Sequence, residues 1–127
     1  MMNRDELDRP DDFNVETMRI GSDTVLLALE GQVDLHTAPE LRDQLVSAIE
    51  DGAVNVVVDL SDTTFIDSMT LGVLLGAVKR LRPRGGQLRV VCSDPNIRKI
   101  FEITLLDRVF ALYSSREAAF ERLVPTG

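Results

Sequence analysis

Four valines in five residues, Val54, Val56, Val57 and Val58 with only Asn55 between them, constrain the fold more than any other feature. A β-branched run this dense does not alternate inside and outside, so it suits a strand buried on both faces, as in a parallel sheet covered by helices. The run is therefore expected to be the central strand. Before it, Leu41, Leu45, Val46 and Ile49 recur at helical spacing, with Pro39 suited to a first turn, polar capping candidates over 34–37, and Asp51-Gly52 to close the helix. After it, Leu71, Leu74, Leu75, Val78 and Leu81 define a second helix from Ser68 onward, which Pro83 and Gly85-Gly86 end.

The remainder continues the alternation. Residues 13–20 and 24–29 read as a hairpin around Gly21-Ser22-Asp23. Residues 61–64 read as polar loop ahead of Phe65-Ile66. A strand over 87–92, a helix opened by Asp94-Pro95, a short strand near 109–112 and a last helix over 115–123 complete the chain. Strands alternating with helices imply an α/β fold: an N-terminal hairpin leading into a mixed, largely parallel sheet flanked by about four helices. A chain of 127 residues that is 44% hydrophobic fills one such domain without metal or disulfide staples. Residues 13–124 are expected to form it, with residues 1–12 and the last three residues as disordered tails.

Composition also limits function. A net charge of −7 disfavours direct nucleic-acid binding, which needs a basic face. No apolar run approaches the ~20 residues of a membrane span, and the polar, acidic start is unlike a signal peptide, so no membrane insertion and a cytoplasmic address are expected. Lys79, Arg80, Arg82 and Arg84 cluster at the end of the second helix. They either complement its dipole or offer a contact surface to an acidic protein partner. Cys92 lies in an apolar run and reads as a buried small hydrophobe. A nucleotide-binding enzyme would need a Gly-Lys-Ser/Thr phosphate loop, which 72–79 lacks. His36, the sole histidine, has no second base or metal cluster beside it. Asp59 ends the central strand as in a phosphate-receiver domain, but the acidic pair expected after the first strand is missing. No catalytic residues, metal or cofactor are expected.

The most informative stretch runs from Thr63 to Gly72, where Ser68 stands at or beside a helix N-cap. Free amides and the positive dipole end at such a place can hold a phosphate, although the residues alone favour a simple capping role for Ser68 or Asp67. The motifs here resemble those of the STAS domain family of sulphate transporters and anti-sigma factor antagonists. They are Gly31-Gln32-Val33-Asp34 after the hairpin, the valine-rich strand ending in Asp59-Leu60, Phe65-Ile66-Asp67-Ser68 with Leu71-Gly72-Val73-Leu74, and Gly85-Gly86 before a strand.

That resemblance, covering about 13–123, implies a non-enzymatic antagonist that binds an anti-sigma factor serine kinase and so frees a sigma factor. It implies phosphorylation by that kinase at Ser68 and resetting by a phosphatase. It further implies partner-binding residues Asp34, Asp67, Met69, Thr70 and Gly72. The chain departs from the family in carrying Met69 and Thr70 where Ser or Thr and then Gly are common. Thr70 is thereby a second hydroxyl, ranked behind Ser68 because backbone bonding can absorb it. The alternative implied by the same family is a non-switching subunit of a transporter or of a stress-sensing assembly.

Overall fold

The computed structural model describes residues 13–121; the two expected tails lie outside those residues. A hairpin of β1 (Asn14–Arg19) and β2 (Thr24–Val33) leads to α1 (Ala38–Glu50), β3 (Asn55–Ile66) and α2 (Ser68–Leu81). A 3-10 turn (Arg82–Arg84), β4 (Gln87–Val91), α3 (Pro95–Ile103), a second 3-10 turn (Leu106–Arg108), β5 (Ala111–Tyr113) and α4 (Arg116–Phe120) follow. The five strands lie in chain order, β1-β2-β3-β4-β5, antiparallel between β1 and β2 and parallel throughout the rest. The valine run is thus at the centre of a mixed sheet.

Strand alternation separates two layers. Val25, Leu27, Leu29, Val56, Val58, Leu60, Leu88 and Val90 face a large core built with α1, α2 and α3, where Leu41, Leu45, Leu74, Leu81 and Phe101 have at most 1% exposure. Phe101 and Phe110 close its far end edge to face, with ring centroids 5.7 Å apart. Among the described residues the opposite face is covered by the short α4, whose Ala119 and Phe120 pack on Leu26, Val57 and Val91.

Two buried polar groups hold α4 on that face. The Arg89 guanidinium donates to the carbonyls of Ala119 (3.1 Å) and Glu121 (2.7 Å) and lies over the Tyr113 ring. Asp59, the residue that suggested a receiver domain, accepts from Arg116 Nε at 2.5 Å and from the Ser61 amide and hydroxyl. Burial pushes its carboxyl up, but the bonds from the Ser61 hydroxyl, the Arg116 guanidinium and the Ser61 amide outweigh this and leave it below the ordinary value of 3.8. A carboxyl with a lowered folded pKa stabilises the fold fully above its unfolded value and loses that contribution as pH falls through the folded one. Asp59→Asn is therefore expected to flatten the acid limb of stability. Urea midpoints measured from about pH 6 down to about pH 2 would show it, and an acid limb as steep as in the wild type would count against the assignment.

The structure corrects the reading of residues 61–66. They form the end of β3 instead of a loop, because β2 itself runs on to Val33 and pairs with them: Glu30 with Asp62, Gly31 with Thr63, Gln32 with Phe65 and Val33 with Ile66. The ladder slips between Ala28 and Glu30 and again at Gly31, which takes φ 88°, and Thr63 is buried despite its hydroxyl. The last strand sits later than expected, at Ala111–Tyr113, after Leu105 adopts a left-handed φ of 61°. The final helix is capped by Ser115 and described only to Phe120.

Candidate functional site

The sheet register builds one corner of the molecule. Val33 and Ile66 are paired neighbours at the ends of β2 and β3, so Asp34 and Asp67, the next residue of each chain segment, leave the sheet side by side. Each aspartate then organises its own backbone. Asp34 Oδ1 accepts from the amides of His36 (2.9 Å) and Thr37 (3.3 Å), and the Thr37 hydroxyl accepts from the Asp34 amide (2.8 Å). This pair of local turns, instead of a side-chain cap, launches α1 with Pro39 in its first turn. Asp67 is the N-cap of α2 in extended conformation, its Oδ1 accepting from the Thr70 amide at 3.0 Å.

Ser68 is therefore the first residue of a fourteen-residue helix, and it is exposed. Of the first amides of α2, that of Thr70 goes to the Asp67 carboxylate and that of Leu71 to the Asp67 carbonyl. Those of Ser68 and Met69 are left without partners inside the helix, next to its positive dipole end.

Thr70 occupies a different position from the one expected. It has 0% exposure, and its hydroxyl donates to the Val33 carbonyl at 2.9 Å while lying 3.1 Å from Asp67 Oδ1. Its side chain is thus enclosed by the fold, and its hydroxyl pins the start of α2 to the end of β2. Met69, by contrast, is 52% exposed, and Gly72 is exposed one turn further along α2. Asp34 and Asp67 are half-buried.

Two apolar side chains not expected among the site residues join this corner. Leu35 and Phe65 are 56% and 46% exposed, beside Asp34 and just before Ile66. A lone apolar residue in a strand or at a helix approach reads as core, so its exposure becomes visible only once the register is known. Of the basic cluster, Lys79 and Arg80 lie in the last turn of α2, and Arg84 reaches the carbonyl of Ile49 at the C-terminal end of α1. Both placements match cations at helix C-termini. Cys92 is fully buried, and burial pushes its thiol up. Among the described residues no group of three or more His, Cys, Asp or Glu could hold a metal, and no helix is long and apolar enough to cross a membrane.

A hairpin followed by parallel strands in chain order, with an exposed serine opening the helix after the central strand, defines a small mixed-sheet α/β domain. The chain belongs to the STAS domain family, whose description it matches over residues 15–119. It is similar to the anti-sigma-B factor antagonist of Bacillus subtilis, with 28% identity over 109 residues covering 86% of this chain and 98% of that protein. The anti-sigma-B factor antagonist of Listeria monocytogenes is 30% identical over 101 residues, covering 79% of this chain and 88% of the relative. The crystal structure of an anti-sigma factor antagonist from Mycobacterium paratuberculosis superposes with a TM-score of 0.79 at 27% identity, over 87% of this chain and 93% of that one.

Proposed function

We propose that this chain is an anti-sigma factor antagonist switched by phosphorylation at Ser68. Unmodified, its 13–124 domain binds an anti-sigma factor that is also a serine kinase, and a sigma factor is released. The kinase then inactivates it, and a phosphatase restores it. The observation that carries the reading is the exposed Ser68 at the first position of α2, flanked by two amides without partners inside the helix and by Asp34 and Asp67. The names of the relatives support the partner class.

In the transfer, the Ser68 oxygen forms a bond to the γ-phosphorus of ATP as the bond to the ADP oxygen breaks, and the hydroxyl proton passes to a base of the kinase. The nucleotide and the catalytic groups belong to the partner. The product carries about −1.5 to −2 additional charge. The helix end can hold it, but it adds to two carboxylates already at this corner, and an acidic docked surface is repelled. Met69, Leu35 and Phe65 supply apolar contact around the hydroxyl, while Thr70 acts from below by fixing the helix start.

Intact-mass measurement after incubation with ATP and the anti-sigma factor kinase is expected to show one added phosphate, mapped to Ser68 by peptide fragmentation. Ser68→Ala is expected to stay unmodified and to keep its affinity for the partner. Phosphate on another residue, with Ser68 clean, overturns the proposal.

A further inference from the structure

α1 and α2 pack side by side over the sheet, yet an open trough of about 290 Å³ remains between them on the solvent side. A second hollow of about 190 Å³ continues it toward the start of α1, sharing Arg42, Met69 and Val73 with the first. The trough follows α2 from Ser68 to Arg80, thirteen residues of helix and roughly 18 Å. That is three helical turns.

Its apolar floor includes Val46 from α1 and Val73 from α2, and Gly72 and Gly76 stand one turn apart along the α2 side. A Cβ at either glycine would meet nothing within 4 Å. No neighbour among the described residues requires bare backbone at these two places, although glycine weakens a helix interior. Bare positions one turn apart do let the backbone of a second helix settle closer than side chains would allow. At the rims stand Arg42 from α1 and Arg80 from α2, both exposed, and among the described residues neither enters an ion pair. Two guanidinium groups beside an apolar trough, on a chain of net charge −7, select an occupant with an apolar stripe and acidic flanks.

We propose that this trough docks an amphipathic, acid-flanked helix of the same anti-sigma factor kinase, as a second contact beyond the Ser68 hydroxyl. The inference rests on the function proposed above, since Ser68 opens one end of the trough. It also gives the phosphate a specific opponent: charge added at Ser68 would stand against the acidic flanks of the docked helix.

The test is titration calorimetry of the full chain against the anti-sigma factor kinase, with Gly76→Leu to fill the trough and Arg80→Glu to reverse one rim. Arg108→Glu, exposed ahead of the edge strand β5 and outside the trough lining, makes the same charge change as a control. Gly76→Leu and Arg80→Glu are each expected to weaken binding at least tenfold, the first with a thermal midpoint unchanged or raised and the second with only the small drop of an anion placed near a helix C-terminus, and the control to bind as wild type. Wild-type affinity in both trough variants overturns this inference while leaving the Ser68 switch standing. A wild-type chain that the kinase neither binds nor phosphorylates overturns the proposed function, and the trough assignment with it.

Discussion

Ser68→Asp is expected to weaken binding to the anti-sigma factor partner at least tenfold, about 1.4 kcal/mol, while the protein stays folded. The two effects separate because the same charge acts on two different neighbours. Toward the helix it is favourable, since an acidic residue in the first turn complements the dipole by about 0.3–1 kcal/mol, and the exposed position of Ser68 requires no repacking. Toward a docked partner it is unfavourable, because Asp34 and Asp67 already occupy the corner. Added salt is expected to restore part of the affinity, and less of it where the complex excludes water from the charge. Calorimetric titration with a thermal melt of each protein separates the two quantities. Equal affinities for wild type and a folded Ser68→Asp variant would remove charge at this helix start as the basis of the switch.

The largest effect on stability is expected at Gly86. It lies where the chain turns from the 3-10 segment into β4, and a Cβ there would sit 1.9 Å from the Val54 carbonyl oxygen and 2.9 Å from its carbon. That carbonyl already accepts from the Gln87 amide at 3.1 Å, so it is fixed by the β3–β4 pairing and cannot swing away as a flexible side chain would. Gly86→Ala must therefore shift backbone at the start of two central strands. A loss of about 3 kcal/mol, at the upper end for an overpacked site, is expected. Urea denaturation of the variant measures it, with Gly21→Ala as a control, since a Cβ at Gly21 would meet nothing within 4 Å. A Gly86→Ala protein as stable as the control would show that the strands relax freely at this junction.

What the sequence reveals about this molecule depends on how local the cause is. The valine run, the spacing of Leu71, Leu74, Val78 and Leu81, and the capping pair Asp67-Ser68 each act within a few residues, and they predict the central strand, α2 and its start. The end of β3 does not follow from its own composition. Ser61-Asp62-Thr63-Thr64 has the residues of a loop, and it becomes a strand because β2, thirty residues earlier in the chain, continues alongside it. Thr70 shows the same limit at the candidate site. Its hydroxyl partner is the carbonyl of Val33, 37 positions away, so a residue that looks available at a helix start is buried. The trough is harder still to read. Arg42 and Gly76 are unremarkable on their own helices, and they share a surface only through the packing of α1 against α2.

The order of the strands has a consequence for how the corner is made. In a sheet laid out β1-β2-β3-β4-β5, each strand finds its partner in the strand synthesised just before it, so no closure is longer than one crossover and contacts stay near in sequence, the condition for rapid folding. Everything that shapes the corner around Ser68, from the turn after Val33 to the amides of Ser68 and Met69, lies between Thr24 and Leu81. A ribosome therefore delivers both arms of this corner before the first residue of β4, and the C-terminal third of the chain is added to a helix start whose parts have already been made.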